Sequence, residues 1–298
     1  MSNGYDSDEA VAPLELEPWV RIQSHTFANW VNDKLRVLDL EVEDPAQDFR
    51  NGILLCRLME VLQGGRIGRV INKKNVNHYE ASGNLALAME AMKKDGVRLV
   101  NIGAEDIAGG NTKLILGMIW TLIRRYQIGS QSRLPPKKLM LSWANAVLYP
   151  HRHLTNFGSD WTDGVALHGI VEYCHPGFCP SWHSLSSSDS LNNCRNAMQG
   201  AEELLGVPPV VSPENFSSPD LDELSGMTYL SYFTAEGAPG YNTTLQWVNS
   251  HVQVSNFDKD WNNGYILSEL VCSLGGNVPG WPDPDSSDWP STIQAGES

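Results

Sequence analysis

The stretch Asn156-Phe157-Gly158-Ser159-Asp160-Trp161-Thr162-Asp163-Gly164 recurs as Asn256-Phe257-Asp258-Lys259-Asp260-Trp261-Asn262-Asn263-Gly264. The shared pattern is N-F-x-x-D-W-x-[DN]-G, offset by 100 residues in a chain of 298. A fainter copy, Asp48-Phe49-Arg50-Asn51-Gly52, is again aromatic after Asp and again runs into an apolar stretch. Upstream of each copy stands a Trp-x-Asn, at Trp30/Asn32, Trp143/Asn145 and Trp247/Asn249. Units this far apart are tandem domains, because solenoid repeats have periods of only ~20–50 residues.

Within each unit the apolar spacing is helical. Phe27, Trp30, Val31, Lys34, Leu35 and Leu38 share one face, with Ser24 placed to cap the helix. Leu85, Ala88, Met89 and Met92 form a second stripe ending near Gly96. Cys194, Ala197, Met198, Ala201, Leu204 and Leu205 repeat it in unit two, closed by Gly206 as a C′ glycine. From Leu114 to Ile123 eight of ten residues are apolar, so no face of that segment is polar. Such a helix is central to its domain or presents an edge to something else. Strand patterns are scarce, and the expected class is all-α: two complete helical bundles and a third partial unit.

Composition sets the boundaries. Residues 1–18 carry five acidic side chains, no basic one and no apolar core, which fits an acidic disordered segment and not a secretory signal. Unit one is expected over 19–128, a Pro-stiffened linker over 129–136, unit two over 137–234, a linker over 235–242, partial unit three over 243–282 and a disordered acidic tail over 283–298. No apolar run reaches the ~18–20 residues a membrane span needs. Five cysteines suit reduced thiols and a cytoplasmic location. The net charge is −14, yet residues 19–128 hold 15 basic against 12 acidic side chains while residues 129–298 hold 6 against 18. An acidic surface repels nucleic acid and anionic lipid, so a polyanionic partner should meet unit one.

Gln23-Ser24-His25-Thr26-Phe27-Ala28-Asn29-Trp30-Val31-Asn32 resembles the first signature of the actinin-type actin-binding domain, and Leu99 to Trp120 resembles the second. The unit is therefore similar to a calponin-homology (CH) domain, and the tandem resembles the N-terminal actin-binding region of filamins. Cys174-His175-Pro176-Gly177-Phe178-Cys179-Pro180-Ser181-Trp182 and Met227-Thr228-Tyr229-Leu230-Ser231-Tyr232-Phe233 carry the filamin flavour. A third unit is similar to invertebrate filamin-like proteins with three CH domains, of the jitterbug type.

The resemblance implies an actin-filament-binding module located on the actin cytoskeleton, with unit one making the main contact and unit two modulating it. Three segments are implied. The first is the opening helix of unit one, with Gln23, Thr26, Phe27, Trp30, Asn32 and Lys34. The second is the apolar helix with Lys113, Leu114, Ile115, Gly117, Met118, Trp120, Thr121 and Arg124, with Arg66, Arg69, Lys73 and Lys74 as an adjunct. The third is the opening helix of unit two, with Lys138 and Trp143. The alternative is a scaffold whose CH units bind signalling or cytoskeletal proteins, and unit three is expected to take a protein partner in either case.

Other chemistries lack their residues. Asp258, Asp260, Asn262 and Glu269 approach a calcium loop, but Asn263 stands where its turn needs Gly. Cys174, His175, Cys179 and His183 do not have a structural-zinc spacing. No nucleophile elbow, phosphate loop, HExxH or dinucleotide fingerprint occurs, so no enzyme, cofactor or metal is expected.

Overall fold

The computed structural model describes residues 17–129, 135–262 and 264–279, and among them every regular element is helical. Unit one comprises α1 (Pro18–Leu35), α2 (Pro45–Asp48), α3 (Ile53–Leu62), α4 (His78–Lys94), α5 (Ala104–Ala108) and α6 (Thr112–Ile123). Unit two comprises α7 (Pro136–Leu148), α8 (Val165–Cys174), α9 (Ser190–Leu205), α10 (Pro213–Phe216) and α11 (Glu223–Thr234). Unit three contributes α12 (Pro239–Asn249) and α13 (Tyr265–Ser273). The tail from 283 and most of the segment before Trp19 lie outside the described residues, as do positions 130–134 of the first linker.

The helices begin where capping chemistry places them. Asn77 and Glu80 form a reciprocal capping box on α4, and the Asn111 side chain accepts the Leu114 N–H at the start of α6. Gly206 ends α9 in the left-handed region, as its position after the apolar stripe predicts. Ser24 is a correction. Pro18 occupies the first turn of α1 and Glu17 its cap, so Ser24 sits inside the helix. The stretch expected as a second linker is also partly helical, because Pro239 opens α12.

The repeated motif is a joint with a fixed wiring. The Asn of Trp-x-Asn clips the following loop to its helix through that loop's backbone. Asn32 Oδ1 accepts Val42 N–H at 2.7 Å while its Nδ2 donates to Val42 O at 2.9 Å. Asn145 does the same to Leu154, and Asn249 accepts Val254 N–H at 2.8 Å. The Asp of the motif then gathers loop amides: Asp160 accepts Thr155 N–H at 2.6 Å and its hydroxyl at 2.8 Å, and Asp260 repeats both with Ser255. Trp161 and Trp261 donate their indole N–H to the carbonyls of Asn156 and Asn256. The closing Gly52, Gly164 and Gly264 turn the chain into α3, α8 and α13 at φ of 75°, 71° and 69°. There a Cβ would be strained by the backbone angle and, on Gly164, would lie 2.6 Å from Cys194 N.

Unit one closes around Phe27, Trp30, Phe49, Leu55, Leu58, Met59, Leu85 and Ile119, all fully buried. Unit two closes around Leu148, Trp161, Leu167, Phe216, Tyr229 and Phe233. Each such side chain stabilises its unit by roughly 1.5–3 kcal/mol. Unit three has a far smaller core of Val248, Val252 and Leu270, with Val254, Trp261 and Ile266 against it.

Candidate functional surface

Helix α6 crosses the middle of unit one, which is why its sequence has no polar face. Ile115, Leu116, Met118, Ile119, Leu122 and Ile123 are buried. A narrow edge remains in solvent. Lys113, Gly117 and Arg124 are exposed, Leu114 and Thr121 are half-buried, and positions 113, 117, 121 and 124 stack along one line of the helix. A Cβ on Gly117 would meet nothing within 4 Å, so the edge is open at its centre. Thr121 Oγ1 donates back to Gly117 O at 2.9 Å and stiffens the same strip. Two cations flank a shallow, weakly polar seat.

The remaining expected residues take other places. Thr26, Phe27, Trp30, Ile115 and Met118 are at most 1% exposed and belong to the unit-one interior. They build the scaffold and do not present side chains to solvent. Asn32 is spent on its clip to Val42. Gln23 is 7% exposed and donates to Asp222 Oδ1 at 2.8 Å, across to unit two. Trp120 stacks on Phe27 with ring centroids 6.3 Å apart and packs on both domain cores. Lys138 is exposed on α7. Trp143, also on α7, is half-buried and donates to Thr244 Oγ1 at 3.2 Å in unit three.

A second surface, between units one and two, was not legible in the sequence. α1 lies along α11. Ile22 enters the unit-two core, and Leu224 and Tyr232 pack on the core of unit one. Asp33 accepts from both the Tyr232 hydroxyl at 2.8 Å and Lys34 Nζ at 2.9 Å, while Lys34 also donates to Gln127 Oε1 and stands 5.0 Å from the centre of the Tyr232 ring. Burial first, and then the negative charge of Asp33, pushes the Tyr232 hydroxyl far above its ordinary range, so it remains a donor. Asp222 caps α11 by accepting Leu224 and Ser225 N–H and still receives Gln23. Its place just before a helical stripe was the one sequence signal available for it.

The residues considered for metals have structural duties. Asp260 is held below the usual carboxylate range by hydrogen bonds from Ser255 and Asn256. Burial pushes the Cys174 thiol up to about 12. Among the described residues no group of three His, Cys, Asp or Glu is arranged to hold a metal ion, and no helix is long and apolar enough to cross a membrane.

Two complete helical bundles with a repeated clip, a glycine-turned joint and a central apolar helix define a tandem of CH-type domains. The chain belongs to the calponin homology (CH) domain family, whose profile matches residues 21–128 and 134–237. It is 37% identical over 226 residues to filamin-C of Rattus norvegicus, covering 72% of this chain and 8% of that protein. It is 37% identical over 276 residues to alpha-actinin-3 of Homo sapiens, covering 89% of this chain and 30% of that one. The resemblance to filamin-type tandem CH regions therefore holds, and the chain spans only 8% of the length of that filamin-C and 30% of that alpha-actinin-3. The actin-crosslinking core of Schizosaccharomyces pombe fimbrin shares the fold at a TM-score of 0.59 and 21% identity, over 89% of this chain and 62% of that one.

Proposed function

We propose that this chain is an actin-filament-binding module of a filamin-like cytoskeletal protein, in which unit one makes the primary contact and unit two governs how much of unit one is offered. The single observation that carries this reading is the open edge of α6. An otherwise buried helix exposes Lys113, Gly117 and Arg124 in line, on the one unit whose charge balance is positive. Filaments of actin are acidic, so the cations steer and orient while the apolar flank of Leu114 supplies desolvated contact. The α1 face carrying Gln23 and Lys34 is covered by α11 and becomes available only if the units separate. The module so described works in the cytoplasm and needs no cofactor, metal or catalytic residue.

Co-sedimentation of the intact chain with filamentous actin at low and physiological salt tests this. Saturable pelleting that weakens only in part with salt is expected, since a purely ionic contact would be largely screened. No pelleting by the folded chain at either salt would remove the reading and leave the scaffold alternative.

A further inference from the structure

Helix α12 is attached more closely to unit two than to its own unit. Gly240 is buried, and a Cβ there would run into the Trp143 indole and lie 2.7 Å from Phe233 O. One turn on, the Thr244 hydroxyl has two of its three hydrogen-bond partners in unit two. It donates to Gly240 O at 2.7 Å, accepts from Trp143 Nε1 at 3.2 Å and pairs with the Tyr173 hydroxyl at 3.0 Å. A hydroxyl offers one donor and two acceptor sites, and all are used.

The repeat shows that this is a departure. Counting back from the Trp of Trp-x-Asn, Thr244 occupies the position of Phe27 and Met140, both of which are buried in their own domain cores. Unit three gives that position to unit two instead. Its Trp247, the counterpart of the fully buried Trp30, is 48% exposed. A helix with so small a core of its own is released at lower cost than one that anchors a full bundle.

We infer that α12 is a cover over the unit-two face that carries Trp143, so that α7 can join a filament contact only after α12 has lifted. The inference rests on the proposed actin reading and adds a regulatory element to it. Docked α12 lowers the apparent affinity by holding the competent state to a small fraction of the population. Lys138, exposed on the same helix α7, is then a cation that joins the contact on release.

The test uses the intact chain with Gly240→Val, which places bulk against Trp143, and Thr244→Val, which removes the polar tie without bulk. Hydrogen exchange is followed at the amides of 239–249, with those of α7, α8 and α11 as the folding control. Filament affinity is measured by co-sedimentation. Faster exchange confined to α12, with affinity raised by about fivefold and that gain abolished by adding Lys138→Glu, is the expected result. Faster α12 exchange with unchanged or weaker filament binding would overturn the cover. So would unchanged α12 exchange in both variants. Absence of pelleting by the wild-type chain and both variants would instead defeat the actin reading itself.

Discussion

Asn84 shows how much of the fold hangs on single polar side chains. It is 1% exposed, accepts Ile71 N–H at 2.9 Å and donates to Asn51 O and Ile71 O at 3.1 and 3.0 Å. Asn193 plays the same part in unit two, donating to Asp163 O and Ser186 O. Removing such a side chain strands buried peptide groups. Asn84→Ala should destabilise unit one by about 2–3 kcal/mol in urea unfolding, whereas exposed Asn75→Ala should cost a few tenths of that. His168 makes a pH-dependent claim. Its Nδ1 lies 3.0 Å from Gly164 O, and burial holds its pKa below the ordinary 6.5, against the opposing pull of that bond. The unfolded chain then takes up the proton first as pH falls. The contribution of His168 is complete above the ordinary value and is lost as pH drops through the depressed one. Between about pH 7 and pH 5.5 the unfolding midpoint of wild type should fall by more than that of His168→Gln. Equal losses in the two proteins would contradict the assignment.

At the scale of elements, the helical periodicities and the recurrent N-F-x-x-D-W-x-[DN]-G made the bundles legible, because cores and turns impose local spacing. The edge of α6 was legible only in part. Eight apolar residues in ten announce a central helix, but which side faces out depends on where α1 and α2 pack against it. Phe27 and Trp30 on α1, and Ile115 and Met118 on α6, belong to the contact segments that the resemblance implies, and their side chains are interior. Gly117 separates stability from function. Its Cβ direction is empty, so Gly117→Ala should raise helix stability by about 0.5–1 kcal/mol in thermal unfolding. The same methyl stands in the middle of the open seat, and filament affinity should drop in co-sedimentation. A variant that is both more stable and equally tight would show that the seat is not a contact.

At the scale of the whole molecule, the joints between units were invisible in the sequence. Gln23 and Asp222 are 199 residues apart, as are Asp33 and Tyr232, and no periodicity links positions so distant. Trp-x-Asn was read as a repeat mark, yet its two residues have different duties: the Asn clips a loop, while Trp143 meets the next unit. The interface combines an apolar part, with Ile22, Trp120 and Leu224, and a few polar ties beside it. Gln23→Ala with Tyr232→Phe removes two of the cross-unit side-chain bonds, leaving that from Asn29 Nδ2 to Val210 O, and small-angle scattering should report a larger radius of gyration. Filament affinity should rise by about threefold as the covered face of α1 becomes available. An unchanged radius would place the holding energy in Ile22, Trp120 and Leu224 instead.

The central claim is that the exposed edge of α6 is the filament contact, and charge reversal along it is the most direct test. Intact chain carrying Lys113→Glu and Arg124→Glu is compared in co-sedimentation with Arg195→Glu and Lys259→Glu, which alter net charge equally on units two and three. A loss of about tenfold or more confined to the α6 pair is the predicted result. Equal weakening by both pairs would reduce the contact to net charge, and undiminished binding by the α6 pair would place the filament elsewhere on the molecule.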